Sequence, residues 1–493
     1  MNRYLYIIVS VLCLLSSTGK AQYFSNRYDN FNNGDNNTGM SYFEHQYLTY
    51  GCTANTNSLY SLNLGINSPT GSRTISRTYN YFSNLFVPHS GRALLHHNQQ
   101  FTIAGTRFYK TDTSWVFLWR FDSNLDSVKY TEYGYLNKIN QVFSVIKGSG
   151  NAVYMAGSVD SLYKNADILL IKTDTSGNEI WKKKIGIPLW DETAYSISMC
   201  SNSNLLISGL KGAHGGSTQG PFVMRLDSSG AVLWENFYPS STYANASFDV
   251  KEMTNGDIVF TGGKAFNITP NGTLRKPTLT RLTASGTLVW QKEYGRKEVG
   301  HDFFTFLINE KNNFVVSGEI FRPDNTASGM VYVINQNGDS LLCKEYRILP
   351  NSQNYFRDVV QAPDKGYCFS GFVSPMNGDG GTQDIWLLKV DSNFCESNAS
   401  CVTGMDDSYD QNGISVFPNP ASDELQITFD NSLSSTLVFE LSDAQGRMVL
   451  QNTITNNVVP HKVSLSNFAE GVYFYRVSGG TNYLKTGKIV VIK

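Results

Sequence analysis

Short apolar segments separated by polar turns run through most of the chain. Leu205–Gly209 is apolar, Phe222–Gly230 passes from apolar residues into a polar turn, and the apolar Ala231–Tyr238 follows. Runs of this length, rich in aromatic and aliphatic residues and bounded by Gly, Ser and Asp, are typical of β-strands. No long stretch has the helical period that marks an amphipathic helix. The pattern therefore predicts an all-β protein.

The apolar pattern repeats along the chain. A glycine that ends the second strand of each copy recurs at nearly constant spacing, and in all but the first copy it follows Ala, Ser or Thr. Units of a few short strands cannot bury both faces alone, so the copies are expected to stack around one core. Four-stranded units of about 50 residues predict a β-propeller, here a seven-bladed one. The repeat glycines are Gly51, Gly105, Gly157, Gly209, Gly262, Gly318 and Gly371.

The second half of the copy carries a turn and a tryptophan. A turn that ends in glycine is followed four positions later by Trp181, Trp234 or Trp290, and an Ile or Tyr stands four positions beyond each Trp. Asp and Asn can bond their own backbone in such turns, and Gly can take positive φ. Strand residues four apart share one face, so we interpret these pairs as packing residues.

The seventh copy has three strand candidates and no fourth. Near the N-terminus, Phe24 and Tyr28 have the same spacing as the Trp and Tyr pairs. We expect residues 22–28 to form the outer strand of the last blade and to close the ring.

Residues 1–21 are predicted to be a signal peptide. Arg3 is followed by the apolar run Tyr6–Leu15 and the small-residue cleavage site Gly19–Ala21. The run is too short to span a bilayer comfortably, and the sequence shows no other membrane span. The formal net charge is −1, with the charges scattered, which argues against nucleic acid as a main partner.

Six cysteines remain after the signal peptide, too few to build a disulfide framework in a chain of this size. Cys395 and Cys401 flank a short polar loop and could pair or stay free. Cys200, Cys343 and Cys368 lie in strand-like contexts, where we expect small buried hydrophobic residues.

The repeat region, residues 22–398, is similar to secreted bacterial propeller repeats of the delta-60 and quinoprotein-like type. Only the architecture is implied, because no motif for a quinoprotein cofactor is present and no cofactor is expected. A linker over residues 399–413 follows. Short strand candidates over residues 414–493 predict a small Ig-like β-sandwich.

Residues 414–493 also carry motifs in a recognisable order. The positions that define them are Pro418, Asn419, Pro420, Gly446, Gly471 and Lys488. They resemble the type A C-terminal sorting domain of type IX secretion; the alternative is an ordinary terminal Ig-like domain. The resemblance implies recognition by an outer-membrane translocon and removal of the domain by a C-terminal signal peptidase. It also implies attachment to surface lipopolysaccharide or release, at the surface of a Gram-negative bacterium.

No catalytic or metal-binding motif is found, including H-E-x-x-H, C-x-x-C and phosphate-binding Gly loops. His96 and His97 are adjacent in a strand and should point to opposite faces, which disfavours shared metal ligation. Asn377–Asp384 is interpreted as a flexible turn, with calcium binding as the alternative, since it lacks the spacing of an EF-hand.

Polar residues stand at one equivalent position, before the first strand, in four of the copies. They are Glu192, Asn245, His301 and Asn354. A polar side chain at the same place in several copies favours bonding to backbone at the start of a strand. The alternative is that His301 and Asp302 form an acid–base pair.

Binding residues are expected on the face that holds the connections between blades and the longest loops, Lys211–Gly220 and Lys264–Lys276 among them. The candidates are Trp190, Asp191, Glu192, Tyr243, His301 and Tyr355. Aromatic, acidic and amide groups suit a glycan or a peptide; the alternative is that these aromatics pack between blades.

The sequence favours a non-enzymatic binding module that is exported by its sorting domain. The alternative is an extracellular hydrolase or lyase acting on polysaccharide or protein. A pair of carboxylates converging in one central pocket would favour the enzyme.

Overall fold

The computed structural model shows an all-β protein, as predicted, since every regular element in the described part of the chain is a strand. No described segment forms a helix long and apolar enough to cross a membrane. The structure describes residues 23–29, 34–54, 60–79, 85–86, 93–97, 99–110, 112–160, 165–215, 218–239, 246–269, 272–296, 299–376, 381–396, 414–418, 421–428, 436–443, 445, 447–455, 460–479 and 483–492.

After β1 (Phe24–Tyr28), the first three antiparallel units follow in chain order. Unit 1 contains β2 (Asp35–Phe43), β3 (Gln46–Ala54), β4 (Tyr60–Asn67) and β5 (Arg73–Tyr79). Unit 2 contains β6 (Leu85–Phe86) and β7 (Leu94–His97), both on one edge of β8 (Gln100–Lys110), then β9 (Thr113–Phe121) and β10 (Ser127–Tyr133). Unit 3 contains β11 (Ile139–Lys147), β12 (Ala152–Asp160), β13 (Asp167–Asp174) and β14 (Glu179–Ile185).

The remaining units of the repeat region have the same order of strands. Unit 4 contains β15 (Trp190–Met199), β16 (Leu205–Ala213), β17 (Gln219–Leu226) and β18 (Val232–Phe237). Unit 5 contains β19 (Val250–Glu252), β20 (Ile258–Thr269), β21 (Gly272–Leu282) and β22 (Leu288–Glu293). Unit 6 contains β23 (Gly300–Ile308), β24 (Phe314–Phe321), β25 (Ala327–Ile334) and β26 (Ser340–Tyr346). Unit 7 contains β27 (Gln353–Gln361), β28 (Tyr367–Ser374), β29 (Asp384–Val390) and β1.

The first strands of the units contact one another in a cycle. Contacts join β2 to β7, β7 to β11, β11 to β15, β15 to β19, β23 to β27, and β27 back to β2. Units 5 and 6 are joined by the buried Asp249, whose Oδ2 accepts hydrogen bonds from Thr305 Oγ1 (2.7 Å) and Phe306 N (3.1 Å). Across the last contact, Met40 N donates to Asp358 Oδ2 (2.9 Å). The units therefore form a closed ring.

The N-terminal strand completes unit 7. β1 lies antiparallel to β29, with Phe24 opposite Lys389 and Tyr28 opposite Ile385. This is the pairing that the spacing of Phe24 and Tyr28 predicts. The Tyr28 hydroxyl donates to the Gly71 carbonyl of unit 1. β1 is therefore hydrogen-bonded to unit 7 and to unit 1.

A hydroxyl-to-carbonyl bond of this kind recurs between neighbouring units. In several units a tyrosine at the end of the outer strand donates to a turn carbonyl of the next unit. The bonds run from Tyr79 to Leu125, Tyr133 to Gly177 (2.6 Å), Tyr294 to Gly338 (2.9 Å) and Tyr346 to Phe394 (2.7 Å). The tryptophans pack at the same contacts: a Cβ on Gly230 would lie 3.0 Å from the Trp181 ring.

The repeat glycines lie where two backbones approach closely. A Cβ built on Gly209 would be 1.8 Å from the carbonyl oxygen of Thr193, and one on Gly318 would be 2.0 Å from that of Asp302. The cause is a β-bulge in the first strand, which shifts the register beside the glycine in units 1, 3, 4, 6 and 7. Only a residue without a side chain fits there.

Replacing a repeat glycine should therefore destabilise the protein. We expect Gly209→Ala to lower the free energy of unfolding by about 2–3 kcal/mol, because the methyl group must displace a backbone carbonyl. Gly34→Ala is the control, since nothing lies within 4 Å of a Cβ at that position. Urea unfolding measures both. Equal stability of the two variants would contradict the explanation.

The closure by β1 can be tested with one hydroxyl group. Tyr28→Phe should lower stability by about 1 kcal/mol, because the Gly71 carbonyl loses the hydrogen bond from the hydroxyl and keeps only the one from Asn26 Nδ2 (2.8 Å). Tyr60→Phe is the matched control, because Tyr60 is half exposed. A Tyr28→Phe variant as stable in thermal unfolding as the control would show that this bond does not hold the ring.

The C-terminal region forms two sheets around its own core. One sheet contains β30 (Ser415–Phe417), β31 (Glu424–Thr428) and β34 (His461–Ser464). The other contains β32 (Leu437–Ser442), β33 (Met448–Ile454), β35 (Gly471–Gly479) and β36 (Tyr483–Val491). Buried apolar residues of both sheets pack together in one cluster. The sequence did not predict β34, which is short and half exposed.

Several sorting-motif positions can be placed in these sheets. Gly471 begins β35, and Lys488 on β36 lies opposite Phe474. Pro418 follows β30. Asn419, Pro420 and Gly446 lie outside the described residues.

Two predicted loops contain strand residues. Lys264–Lys276 forms the end of a long hairpin, with Lys264 opposite Lys276 and Ala265 opposite Arg275. Both ends of Lys211–Gly220 likewise belong to strands, to β16 and β17. Length and polarity suggested loops, but both strands extend past the sheet, and their backbone groups pair with each other.

The three cysteines expected to be small buried residues are free thiols. Cys200 and Cys368 are free and buried, and Cys343 is free and partly buried. Cys395 is disulfide-bonded. Cys401, its suggested partner, lies outside the described residues.

Candidate functional site

A row of side chains lines the inside of the ring. Each stands at one equivalent position ahead of the repeat glycine, four of them in the first strand of their unit and Phe248 just before β19. We call this row the inner stack: Phe143, Tyr195, Phe248, Phe304 and Arg357. The ring centroids lie 5.0 Å, 5.5 Å and 5.8 Å apart in that order, and the Arg357 guanidinium carbon lies 4.0 Å from the Phe304 centroid. All five are half buried.

Unit 6 differs from the other units beside this stack. Two positions before Phe304 it has Asp302, and directly after its repeat glycine it has Glu319. The two lie directly opposite on β23 and β24. The same two positions hold uncharged residues in the neighbouring units: Thr193 and Leu210, Ala246 and Gly263, and Tyr355 and Phe372. We call Asp302 and Glu319 the acid pair.

Each carboxylate of the acid pair has an arginine partner. Asp302 Oδ2 lies 3.5 Å from Arg275 Nη1, and Glu319 Oε2 lies 2.9 Å from Arg357 Nη1. Burial raises the pKa of Asp302 to about 7; the two arginines oppose the rise, and Glu319 adds to it. Asp302 is therefore partly protonated at neutral pH, beside a second carboxylate.

A cavity of about 180 Å³ opens next to Asp302. It exists because unit 5 has small residues where other units have larger ones, and because Tyr195 and Phe248 of the inner stack form its aromatic wall. Glu319 is not one of the residues that line the cavity. The lining residues are Tyr195, Leu210, Ala246, Phe248, Gly262, Gly263, Arg275, Asp302 and Phe303.

The arrangement combines a proton donor with flat apolar surfaces. A carboxyl group with a pKa near the working pH can give a proton to a bound molecule and take it back. A neighbouring carboxylate can stabilise positive charge that develops there. Aromatic faces beside polar groups are common in sites for small ligands.

Tyr355 is a predicted site residue whose side chain packs against the arginine partner of Glu319. Its ring lies 5.1 Å from the Arg357 guanidinium and 4.8 Å from the Phe372 ring. Burial raises the pKa of its hydroxyl, and Glu319 adds to that rise. The structure therefore brings Tyr355 together with Glu319 and Arg357.

Glu192 and His301, both predicted ligand contacts, form hydrogen bonds to backbone at the start of their strands. Both are buried. Glu192 Oε2 accepts from Ile187 N (2.9 Å), and His301 Nε2 accepts from Arg296 N (3.2 Å). Each bond holds the backbone just before a first strand. The His301 ring is also on the opposite side of β23 from Asp302, so the two do not form an acid–base pair.

Asn354 also bonds to backbone, with both the oxygen and the nitrogen of its side-chain amide. Its Oδ1 accepts from Ile348 N and Leu349 N, and its Nδ2 donates to the carbonyls of Ala327, Leu349 and Ser352. Asn140 holds the equivalent position in unit 3 and bonds the backbone around it in the same way. Asn245 lies outside the described residues.

Trp190 and Asp191 lie at the start of β15 and do not line the cavity. Trp190 packs against the Phe237 ring at 5.5 Å. Asp191 Oδ2 lies 2.7 Å from His214 Nδ1, and both side chains are exposed. Tyr243 lies outside the described residues. Trp190 therefore packs within its own unit.

Sequence reasoning missed Arg275 and Glu319. Arg275 lies in a segment predicted as a loop, so its approach to Asp302 could not be seen. Glu319 had a signal, because its place after the repeat glycine and the place of Asp302 are both acidic only in unit 6. Comparing equivalent positions across the copies would have found the pair.

In the described part of the chain, no group of three or more His, Cys, Asp or Glu side chains is placed to hold a metal ion. His96 packs on the Phe43 ring at 3.7 Å, and the side chain of His97 is not described. Asp384, at the end of the suggested calcium loop, lies 2.5 Å from Arg27; residues 377–380 are outside the described part.

The buried histidine makes a pH prediction. Burial lowers the pKa of His301 from 6.5 to about 3, and Arg296 acts in the same direction. The unfolded chain therefore takes up the proton first, so this stabilisation is complete above pH 6.5 and is lost as the pH falls towards 3. His301→Asn carries the residue found in units 3 and 7. As the pH falls below 6.5, the free energy of unfolding of this variant should decrease less than that of the wild type, by about 1.4 kcal/mol for each pH unit.

Urea unfolding at pH 7, 6 and 5 measures this difference. His45→Asn is the control, because it removes a histidine that is exposed in the turn between β2 and β3. If His301→Asn followed the same pH curve as the wild type, the buried neutral histidine would be excluded as the cause.

Residues 415–493 match the family of the secretion system C-terminal sorting domain. The type IX secretion machinery therefore handles this chain. The protein reaches the outer-membrane surface or the extracellular space of a Gram-negative bacterium.

The chain is 24% identical over 228 residues to β-agarase A of Zobellia galactanivorans, covering 42% of this chain and 41% of that protein. It thus spans less than half the length of this relative.

Two solved structures give weak likenesses to the whole fold. The propeller domain of the Trilobed protease from Pyrococcus furiosus is 9% identical, with a TM-score of 0.41, and covers 72% of this chain and 95% of its own. The exo-β-1,3-galactanase from Phanerochaete chrysosporium is 13% identical, with a TM-score of 0.36, and covers 83% of this chain and 100% of its own. TM-scores this low carry no argument about function.

Proposed function

We propose that this exported protein is an extracellular polysaccharide hydrolase with its site at the acid pair. The observation that carries the proposal is the placement of Asp302 and Glu319 opposite each other beside an aromatic cavity inside the ring. Asp302 lines the cavity, and Glu319 stands opposite it on the next strand. Two neighbouring carboxylates, one of them at a cavity, favour the enzyme over the binding module that the sequence alone favours.

In this proposal, Asp302 is the general acid. Hydrolysis of a glycosidic bond needs a carboxyl group that protonates the leaving oxygen and a second carboxylate that either deprotonates the attacking water or itself attacks the sugar before water releases it. Burial supplies the first condition for Asp302. Glu319, held by Arg357 at 2.9 Å, supplies the second.

The aromatic wall supplies the binding surface. Sugar rings have apolar faces, and Tyr195 and Phe248 stand beside Asp302 in the lining of the cavity. Arg275 Nη1, on the other side of Asp302, can donate hydrogen bonds to sugar hydroxyl groups. The named activity of the relative, a β-agarase, is consistent with a polysaccharide substrate.

The proposal includes the finer domain organisation. Units 1 to 7 are the blades of a seven-bladed propeller of the delta-60 and quinoprotein-like type, which spans residues 22–398. A signal peptide, residues 1–21, precedes it, and an Ig-like sorting domain follows the linker at 399–413. After translocation, a C-terminal signal peptidase removes that domain, and the propeller is attached to lipopolysaccharide or released.

A second candidate is glycan or protein binding without turnover. It is favoured by the arginine partners of both carboxylates, which occupy the oxygens that a reaction would use. In this case the inner stack and Tyr355 hold the ligand, and Trp190 and Asp191 remain candidate contacts at the start of β15.

One set of variants tests both candidates. The full-length protein is assayed for release of reducing ends from a panel of neutral and acidic polysaccharides that includes agarose. Asp302→Asn and Glu319→Gln should each lower turnover at least about 100-fold, because each removes one of the two groups that the reaction needs. Wild-type turnover should also fall as the pH rises through about 7, when Asp302 loses its proton.

Glu310→Gln is the control, because Glu310 is exposed and pairs with Lys365 away from the acid pair. No turnover by the wild type, with glycan binding that survives Asp302→Asn, would support the binding module instead. Turnover that is unchanged in both acid-pair variants would refute the proposed site.

A further inference from the structure

A second cleft lies between units 2 and 3, away from the acid pair. Its volume is about 300 Å³. Three of its side chains are cationic: Arg120, Lys129 and Lys147. Asp174 is the one carboxylate in the lining, and Thr102, Thr131, Thr175 and Ser176 contribute hydroxyl groups.

The cleft exists because unit 2 lacks the tryptophan of the repeat. In units 4 and 5, a cation on the third strand lies opposite the tryptophan of the outer strand: Arg225 opposite Trp234, and Arg281 opposite Trp290. In unit 2, the equivalent Arg120 lies opposite Lys129. A lysine replaces the indole ring that fills the contact below the turn of the next unit, and the space stays open.

The carboxylates that neutralise the equivalent arginines are also replaced. Arg225 pairs with Glu252 (3.3 Å), which stands ten positions before the repeat glycine of the next unit. At that position unit 3 has Lys147. Arg281 pairs with Asp257 (2.6 Å), five positions before its own repeat glycine.

At the place of Asp257, unit 2 has Gln100, which lines the cleft. Compared with the residues around Arg225 and Arg281, three changes, at Lys129, Lys147 and Gln100, therefore meet in one cleft. Each of them makes the charge there more positive.

The two opposed cations point at one atom. Arg120 Nη2 and Lys129 Nζ both donate to the carbonyl of Ser176, at 3.2 Å and 2.7 Å. In the described part of the chain, neither forms an ion pair with a carboxylate. Asp174 is engaged by its own turn, because both its oxygens accept from Asn178 (2.8 Å each). Like charges directly opposite on neighbouring strands destabilise a sheet unless an anion lies between them.

We infer that this cleft is an oxyanion-binding site. Its ligand is a sulfate, phosphate or carboxylate group, held by Arg120, Lys129 and Lys147 and by the hydroxyl groups of the lining. Cations around a compact oxyanion form charge-assisted hydrogen bonds, the strong kind in proteins. The anionic group is either a free ion or a substituent on a saccharide, and both present the same oxygens. The inference does not depend on the activity proposed for the acid pair.

Substitutions at two of the cationic residues test the site. Binding of sodium sulfate, and of a sulfated oligosaccharide with its unsulfated counterpart, is measured by titration calorimetry on the full-length protein at low ionic strength. Lys147→Glu supplies the carboxylate found in unit 5, and Lys129→Met removes one cation at similar size. Each should weaken sulfate binding at least about tenfold, by removing a charge that faces the anion.

A stability measurement separates loss of the site from loss of the fold. Lys147→Glu places a carboxylate beside Arg120 and Lys129, so without sulfate it should unfold at a higher temperature than the wild type, and sulfate should raise the unfolding temperature of the wild type but not of this variant. Lys311→Glu, at an exposed lysine in a turn of unit 6, is the charge-matched control and should bind and respond to sulfate like the wild type.

The titrations also identify the source of the anion. Binding of free sulfate together with the sulfated saccharide supports a saccharide substituent as the ligand, and binding of free sulfate alone supports a small ion. Binding of neither, or equal binding by the wild type and Lys147→Glu, would overturn the inference. None of these results depends on turnover at Asp302.

Discussion

In most described units, the carbonyl oxygen of the first strand comes so close to the repeat glycine that no side chain fits between them. The close approach is produced by a bulge in the first strand, and the bulge turns one additional residue towards the inside of the ring. The additional residue is Phe143 in unit 3, Tyr195 in unit 4, Phe304 in unit 6 and Arg357 in unit 7. One backbone constraint therefore sets the shape of each unit and also places the inner stack.

The units are alike in backbone and different in chemistry. The positions around the repeat glycine point to the same place in every unit, so a change of residue type there changes the inside of the ring. Unit 6 has two acids where its neighbours have uncharged residues, and unit 5 has Ala246 and Gly263, which leave room beside Asp302. Between units 2 and 3, Lys129 stands in place of the tryptophan of the repeat, and Lys147 and Gln100 stand where unit 5 has Glu252 and Asp257. Both candidate sites lie where the residue types differ from those at the equivalent positions of other units.

Stability and export are physically separate in this chain. The ring is held by contacts among its own units and by β1, whose pairing with β29 ties the start of the chain to its seventh unit. The sorting domain has an apolar cluster built from its own two sheets. A domain that packs around its own core can be recognised by the secretion machinery without altering the acid pair.

The sequence by itself determined the strand pattern, the repeat, the part played by Phe24 and Tyr28, and the sorting domain. These follow from local periodicity and from motifs that stay together in the chain. It also indicated that Asn354 and its equivalents bind backbone, because one polar position recurs in several copies. It did not show that Glu319 and Arg275 surround Asp302, or that His301 is buried on the other side of the same strand. Those facts depend on which strands pair and how far each hairpin extends, and backbone hydrogen bonds between distant segments decide both.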